Sequence, residues 1–260
     1  MKIACIVIPG KAKQHFVHAL HEQTQGVELV IIQKKKEKPA LERIKRSFQQ
    51  EELWGFLQST YFGILLRLDR NKQKMLGYFR ARTDTKAPAW PAKTLETTSV
   101  NSEKVYAALQ ELQPDLLVVW GSGIIEPRIL QTSKKAINLH MGLAPYYRGA
   151  IANQQAMLQN DLGHIGATAH YITSKADAGC ILDCVKARTE LPLRDMFVDL
   201  NDRAEQMYLD VALKLSAGEN VDCTKQDLSR GSNYLLKDWT PRIRYQLANH
   251  MQRYEKEQRQ

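Results

Sequence analysis

Ala136-Ile137-Asn138-Leu139-His140, followed by Met141-Gly142-Leu143-Ala144-Pro145-Tyr146-Tyr147-Arg148-Gly149, is the stretch on which the reading of this chain turns. An apolar run with side-chain period two reads as a strand that places Asn138 and His140 on one face and Ile137 and Leu139 on the other. Polar side chains on a buried strand cost free energy unless they are partnered or employed. Pro145 and Gly149 bracket a loop, a helical run follows from Ala150 to about Gln159, and Gly163 lies past its end. Gly166 to Ile172 reads as a second strand, Thr173 to Gly179 as a turn containing Asp177, and Cys180-Ile181-Leu182 as a return strand.

Upstream, Lys2 to Ile8 is a continuous apolar run of the kind buried on both faces of a parallel sheet. Pro9-Gly10 ends it, a helix over about 12–23 follows, and Val27 to Ile32 is the next strand, so the unit is a right-handed parallel crossover. Asn101 or Ser102 can cap a helix that runs to Leu112 and stops at Pro114. Asp115 to Trp120 is another core strand with Gly121-Ser122-Gly123-Ile124-Ile125 at its carboxyl end. Ligands of open α/β sheets bind beyond the carboxyl ends of strands, so this loop and the Asn138/His140 strand end should line one crevice. Phe197, Leu200, Ala204, Tyr208, Val211 and Leu215 form a core-facing helical stripe ending at Gly218.

The fold class is therefore α/β, a mostly parallel, helix-flanked sheet over 1–218 with a short C-terminal extension over 219–260. In that extension Val221 to Lys237 reads as a small hairpin. Thr240-Pro241 starts a basic helix with an apolar edge at Ile243, Leu247, Met251 and Tyr254, and Glu255 to Gln260 reads as frayed. Residues 36–95 read as an elaboration. It is basic from Lys34 to Arg46 and then carries Leu53, Leu57, Tyr61, Ile64 and Leu68 at helical spacing. The plain expectation is that this stripe packs on the sheet. The alternatives are that the basic stretch approaches an anionic substrate or that the stripe meets a partner chain.

The 260 residues carry a formal charge of +9, which predicts attraction to phosphates, polyglutamate or nucleic acid without choosing among them. Only Gly10 follows the first strand where a dinucleotide fingerprint needs three glycines, so a nicotinamide cofactor is not expected. His15, His18 and His21 share helical spacing but read as an exposed polar face, and no metal is expected. Cys5, Cys180, Cys184 and Cys223 form no Cys-x-x-Cys pair and read as free buried thiols of a cytoplasmic protein. There is no run of about 18 apolar residues and no signal peptide, so no membrane partner is expected.

The polar residues permit a definite chemistry. Asn138 can offer an amide N–H to a developing oxyanion, His140 can exchange a proton near neutral pH, and Asp177 can orient that imidazole or raise its pKa. The set suits acyl transfer to an amine, and no Ser or Cys beside His140 nominates a covalent nucleophile. A structural His–Asn pair and a turn-forming Asp remain open on these residues alone.

Asn138 to Pro145 with Tyr147-Arg148-Gly149 resembles the Asn-x-His-x-Ser-Leu-Leu-Pro…Arg-Gly signature of formyltransferases that use 10-formyltetrahydrofolate. Thr168-Ala169-His170-Tyr171-Ile172 with Asp177-Ala178-Gly179-Cys180-Ile181-Leu182 resembles the same family's Thr-x-His…Asp-Thr-Gly-x-Ile-Leu segment. Gly142, Ala144 and Ala178 replace its Ser, Leu and Thr, and Gly123 stands where relatives often carry Arg. The resemblance implies a Rossmann-like formyltransferase fold, with Asn138, His140 and Asp177 as catalytic residues. It implies a folate pterin between Trp120, Gly121, Ile124 and Ile125 on one side and Thr173, Ser174, Lys175 and Ala176 on the other. Tyr146, Tyr147, Arg148 and Gly149 would form a substrate loop.

The resembled family acts on glycinamide ribonucleotide, methionyl-tRNA or nucleotide-linked amino sugars. The first branch is usually shorter than this chain, and the second usually carries a C-terminal β-barrel for which the residues after Gly218 are too few. Gly231-Ser232-Asn233-Tyr234 with Asp238-Trp239-Thr240-Pro241 resembles the tail of the sugar enzymes. By this elimination and resemblance the preferred acceptor is the amine of a nucleotide-linked amino sugar, a small phosphate-bearing molecule, with no nucleic acid partner and a homodimer expected. The rival class is a non-enzymatic RNA- or partner-binding protein on the same fold.

Overall fold

The computed structural model describes residues 1–35, 53–83 and 86–258. Apart from Lys34 and Lys35, the basic stretch lies outside the described residues, as do positions 259 and 260. Among the described residues, Ile3–Val7 (β1), Val27–Gln33 (β2), Lys93–Thr97 (β3), Leu116–Trp120 (β4) and Lys135–His140 (β5) are parallel neighbours in one sheet. Tyr147–Gly149 (β6) leaves that sheet and pairs in parallel with Ser232–Tyr234 (β9). Gly166–Tyr171 (β7) and Ile181–Lys186 (β8) return antiparallel, and the seven-stranded order is β3-β2-β1-β4-β5-β7-β8.

Alternation along the buried strands divides the core. Ile3, Cys5 and Val7 belong with Phe16, Val17 and Leu20 of Lys11–Thr24 (α1), while Ala4 and Ile6 meet Val105 and Leu109 on the other face. The helices from Leu53–Leu68 (α2), Arg70–Gly77 (α3), Glu103–Leu112 (α4), Pro127–Leu130 (α5), Ala152–Leu158 (α6), Leu193–Ser216 (α7) and Pro241–Gln258 (α8) complete the layers. All six members of the expected α7 stripe are buried. Tyr208 does more than fill space: its hydroxyl accepts from Val119 N–H (3.1 Å) and lies 2.8 Å from Val119 O and 3.0 Å from Ile137 O. It thereby satisfies backbone groups near the ends of β4 and β5, where an unpaired buried group costs roughly 1–3 kcal/mol.

Four expectations are corrected. The 221–237 segment is not a hairpin, because Ser232–Tyr234 finds its partner in β6. The tail is not frayed over its described part, since α8 runs to Gln258, whose side chain donates to Leu191 O at 3.1 Å. α2 packs on α8 rather than the sheet, through Phe62 against Tyr245 and with Leu66 buried, so Leu57, Tyr61, Ile64 and Leu68 of the expected stripe point outward. α2 is apolar on both faces, so periodicity could not say which one turns in. Finally, Cys180 and Cys223 form a disulfide, Cys5 is free and buried, and Cys184 is free and exposed. Backbone bonds between Ile181 and Thr224, 2.8 and 2.7 Å long, bring the two cysteines to a Cα separation of 5.5 Å. That contact spans 43 residues, and no local spacing could reveal it.

No helix among the described residues is long and apolar enough to cross a membrane, and these residues hold no His/Cys/Asp/Glu cluster suited to a metal ion.

Candidate active site

The antiparallel register of β5 and β7 sets Asn138 opposite His170 and His140 opposite Thr168. Directly opposed residues share a face, so four polar side chains meet at the strand ends. Thr168 is fully buried and pins the loop after β5. Its hydroxyl donates to Gly142 O (2.9 Å) and accepts from Ala144 N–H (3.0 Å). The turn after β7 brings in Asp177, which adopts a left-handed backbone at φ 48° that an Asp side chain tolerates.

Asp177 is the hub. Its Oδ2 lies 3.4 Å from His140 Nδ1 and accepts from Gly149 N–H at 2.9 Å, while its Oδ1 lies 3.4 Å from both His170 Nε2 and Asn138 Nδ2. Burial raises the Asp177 pKa, but facing His140 and His170 together with the Gly149 N–H pull it well below the usual carboxylate range, so the group is ionised. Burial pulls the His140 imidazole below its ordinary value, against the opposing pull of Asp177. With its Nε2–H directed to Tyr147 O (2.9 Å), neutral His140 keeps Nδ1 toward Asp177. His170 Nδ1 donates to Tyr171 O at 2.8 Å, and its Nε2 lies 3.3 Å from the Asn138 amide nitrogen. Gly142 is obligatory here, because a Cβ would stand 2.4 Å from His140 Nε2 and 2.3 Å from Ala152 Cβ.

Asn138, His140 and Asp177 open into a crevice of about 1750 Å³ that Trp120, Gly121, Ile124, Ile125, Thr173, Ser174, Lys175 and Ala176 also line. The expected folate walls are therefore gathered around the trio. Gln33 Oε1 accepts from Gly123 N–H (2.9 Å), and Asn101 donates to Ile124 O (2.8 Å) and accepts from Glu126 N–H (2.9 Å). Asn101 thus fixes the loop after β4 rather than capping α4, whose N-cap residue is Ser102. Ile125 is buried and Ile124 is exposed, so the latter stands free as a wall residue.

Of the expected substrate loop, Gly149 alone lines the crevice. Tyr147 turns inward, bonding Asp161 (2.9 Å) and stacking on Tyr234; Tyr146 packs on His164; Arg148 reaches Leu228 O and Gly231 O. The side chains of these three lie outside the crevice lining, Tyr147 and Arg148 within the β6–β9 pairing.

Sequence reasoning missed the cations around Trp120. Lys13 Nζ stands 4.3 Å from the ring centroid and Arg82 Cζ 5.0 Å from it. Burial and neighbouring Arg82 bring the Lys13 pKa down to about 8. Arg82 pairs with Glu205 and Asp202, and Lys11 and Arg80 also line the crevice. It also missed Gln226, which donates to Asp177 O (3.0 Å) and Gly179 O (2.6 Å) and so holds the turn that carries Asp177 from outside. No motif marks either feature.

Residues 1–211 match the family described as formyl transferase, and the chain belongs to that family. Among curated proteins it is 27% identical over 173 residues to the methionyl-tRNA formyltransferase of Levilactobacillus brevis, covering 64% of this chain and 54% of that one. The chain thus spans about half the length of the curated relatives it matches. Among solved structures it is similar to a sugar N-formyltransferase from a Shewanella species, with TM-score 0.58 and 17% identity over 95% of this chain and 88% of that one. It is similar as well to an N-formyltransferase of Helicobacter canadensis solved with folinic acid and dTDP-3-aminofucose, with TM-score 0.57 and 14% identity over 95% and 79%. These likenesses establish a shared Rossmann-like formyltransferase fold.

Proposed function

We propose that the chain transfers a formyl group from 10-formyltetrahydrofolate to the primary amine of an anionic small molecule, with a nucleotide-linked amino sugar as preferred acceptor. The observation that carries this reading is the meeting of Asn138, His140 and ionised Asp177 in a crevice that also holds Lys11, Lys13, Arg80 and Arg82. The pinned loop 121–125 and the exposed turn 173–176 line the same crevice, which supports the folate reading.

The folate supplies the formyl group. The amine nitrogen bonds to the formyl carbon, the bond from that carbon to the folate nitrogen breaks, and one proton passes from the arriving nitrogen to the departing one. Asn138 Nδ2 turns one N–H from its long contact with His170 or Asp177 toward the oxygen that gains charge. His140 Nδ1 takes up the proton, directly or through water, and the ionised Asp177 facing it stabilises the imidazolium so formed. The basic crevice draws a phosphate-bearing acceptor to the site.

The naming of sequence relatives as methionyl-tRNA formyltransferases favours a second reading with tRNA as acceptor. Release of tetrahydrofolate, followed with amino-sugar nucleotides, glycinamide ribonucleotide and charged initiator tRNA in turn, separates them. The sugar reading expects the first panel to give the fastest turnover. Selective formylation of methionyl-tRNA at physiological salt would replace the acceptor. Absence of turnover with every amine, while 5-formyltetrahydrofolate still raises Tm with the logarithm of its concentration, would leave a binding protein.

A further inference from the structure

We propose that the outer face of α2 docks on an anionic lipid bilayer. The inner face of this helix is committed: the Phe62 and Tyr245 ring centroids lie 5.4 Å apart, and Leu66 is 4% exposed. The outer face carries Trp54, Leu57, Tyr61, Ile64 and Leu68, which are 69%, 50%, 59%, 51% and 77% exposed. Their spacing of three and four residues sets all five on one side of the helix, along roughly 21 Å at 1.5 Å per residue. Single exposed apolar residues are ordinary, but a contiguous row of them marks an interaction surface.

The same spacing would suit the seam of two paired helices, and charge decides between the occupants. Arg67 is exposed one position before Leu68, Arg70 is exposed at the start of α3, and Arg242 of α8 reaches Gln58 of α2 at 3.4 Å. Asp69, the acid between the first two, already holds Lys72 at 2.6 Å. The sequence from Lys34 to Arg46 is rich in Lys and Arg, with Glu37 and Glu42 among them, and Glu51 and Glu52 stand just before α2. A second copy of this face would bring like charges together. An anionic bilayer pairs them instead, and it accepts Trp54 and Tyr61 at the level of its headgroups, where amphipathic rings are favoured.

The lack of a spanning helix does not bear on this, since interfacial binding needs an apolar face with flanking cations rather than a span of about 20 residues. The docking element also connects to the crevice. The chain leaving α3 supplies Phe79, Arg80 and Arg82 to the crevice wall, and Asn201 of α7 holds it by donating to Ala81 O at 2.8 Å. Docking by α2 would therefore bring one wall of the crevice close to the bilayer. The inference stands independently of the acceptor's identity.

Co-sedimentation of the full chain with phosphatidylcholine vesicles, with and without about 30% phosphatidylglycerol, tests it at low and high salt. Binding should rise about tenfold or more with the anionic lipid and fall as salt screens it. Ile64→Gln combined with Leu68→Gln should reduce binding about tenfold with Tm unchanged. Arg67→Glu, a surface change that leaves the apolar row intact, should reduce it by about fivefold or more and decides the matter if the double variant folds poorly. Three results would overturn the proposal: no binding to anionic vesicles at low salt, equal binding by parent and Arg67→Glu, or vesicle-independent self-association in sedimentation velocity that the double variant abolishes.

Discussion

At the end of β5, Asn138, His140, His170 and Asp177 each have a polar neighbour within 3.4 Å, whereas along the outer face of α2 five large apolar side chains face solvent. The first region is over-determined. Each group there is held by at least one other, and moving one misplaces the rest. The second has no internal partner to satisfy, so its composition is not explained by folding. The contrast teaches that a pinned polar cluster should fail in activity when altered, while an uncovered apolar row should leave the fold indifferent.

The largest effects should come from the polar cluster. Asn138→Ala should lower turnover by roughly 10²–10³ and His140→Ala by roughly 10²–10⁴, with folate-analogue binding largely retained. Asp177→Asn keeps the left-handed backbone and should fall in the same range, and combining it with His140→Ala should cost far less than the product of the singles. A series in which Asp177→Asn turns over near-normally, or in which His170→Ala is the more damaging His change, would break the assignment.

A smaller effect is expected at Gly142, where the family resemblance would put Ser. Gly142→Ser forces a side chain against His140 and Ala152 and should destabilise by about 1–3 kcal/mol in chemical denaturation, with turnover falling too. A variant at least as stable and active as the parent would show that the loop is looser than its contacts indicate.

The pH profile should move by less still. Because His140 and Asp177 have folded pKa values below their ordinary ones, the stability each contributes is present at neutral pH and is lost as pH falls. The Asp177 carboxylate is what raises the His140 pKa against burial, so Asp177→Asn should shift the acid limb of residual kcat/KM to lower pH. A shift to higher pH would mean that Asp177 does not act on His140. Smallest of all, Ile64→Gln on the outer face of α2 should change unfolding free energy within about 0.5 kcal/mol. A loss of several kcal/mol there would place the row inside the fold after all.

Much of the site was legible because it depends on local order. Period two in β5 set Asn138 and His140 on one face, and continuous apolar runs marked β1 and β4 as doubly buried strands whose carboxyl ends frame the crevice. What was not legible depends on contacts between distant segments. Lys13 and Arg82 meet over Trp120 only because α1 and the chain after α3 converge on the end of β4. Tyr147 and Arg148 read as substrate contacts, but a strand more than 80 residues later captures their backbone and turns the side chains aside. The Cys180–Cys223 bond follows from a similar long-range bridge.

That distant strand belongs to a tail whose importance is easily underrated. The family match stops at residue 211, yet Gln226 grips the carbonyls of Asp177 and Gly179, Cys223 is bonded to Cys180, and Tyr234 O accepts from Ala150 N–H at 2.9 Å just beyond Gly149. The tail thus acts as a buttress raised outside the matched span, bracing the turn that carries Asp177. The edge of the family match and the mechanical boundary of the folded unit do not coincide. A protein trimmed to the first would keep its sheet and all three of its polar residues, and would lose the outside bracing that fixes Asp177 and Gly149 relative to each other.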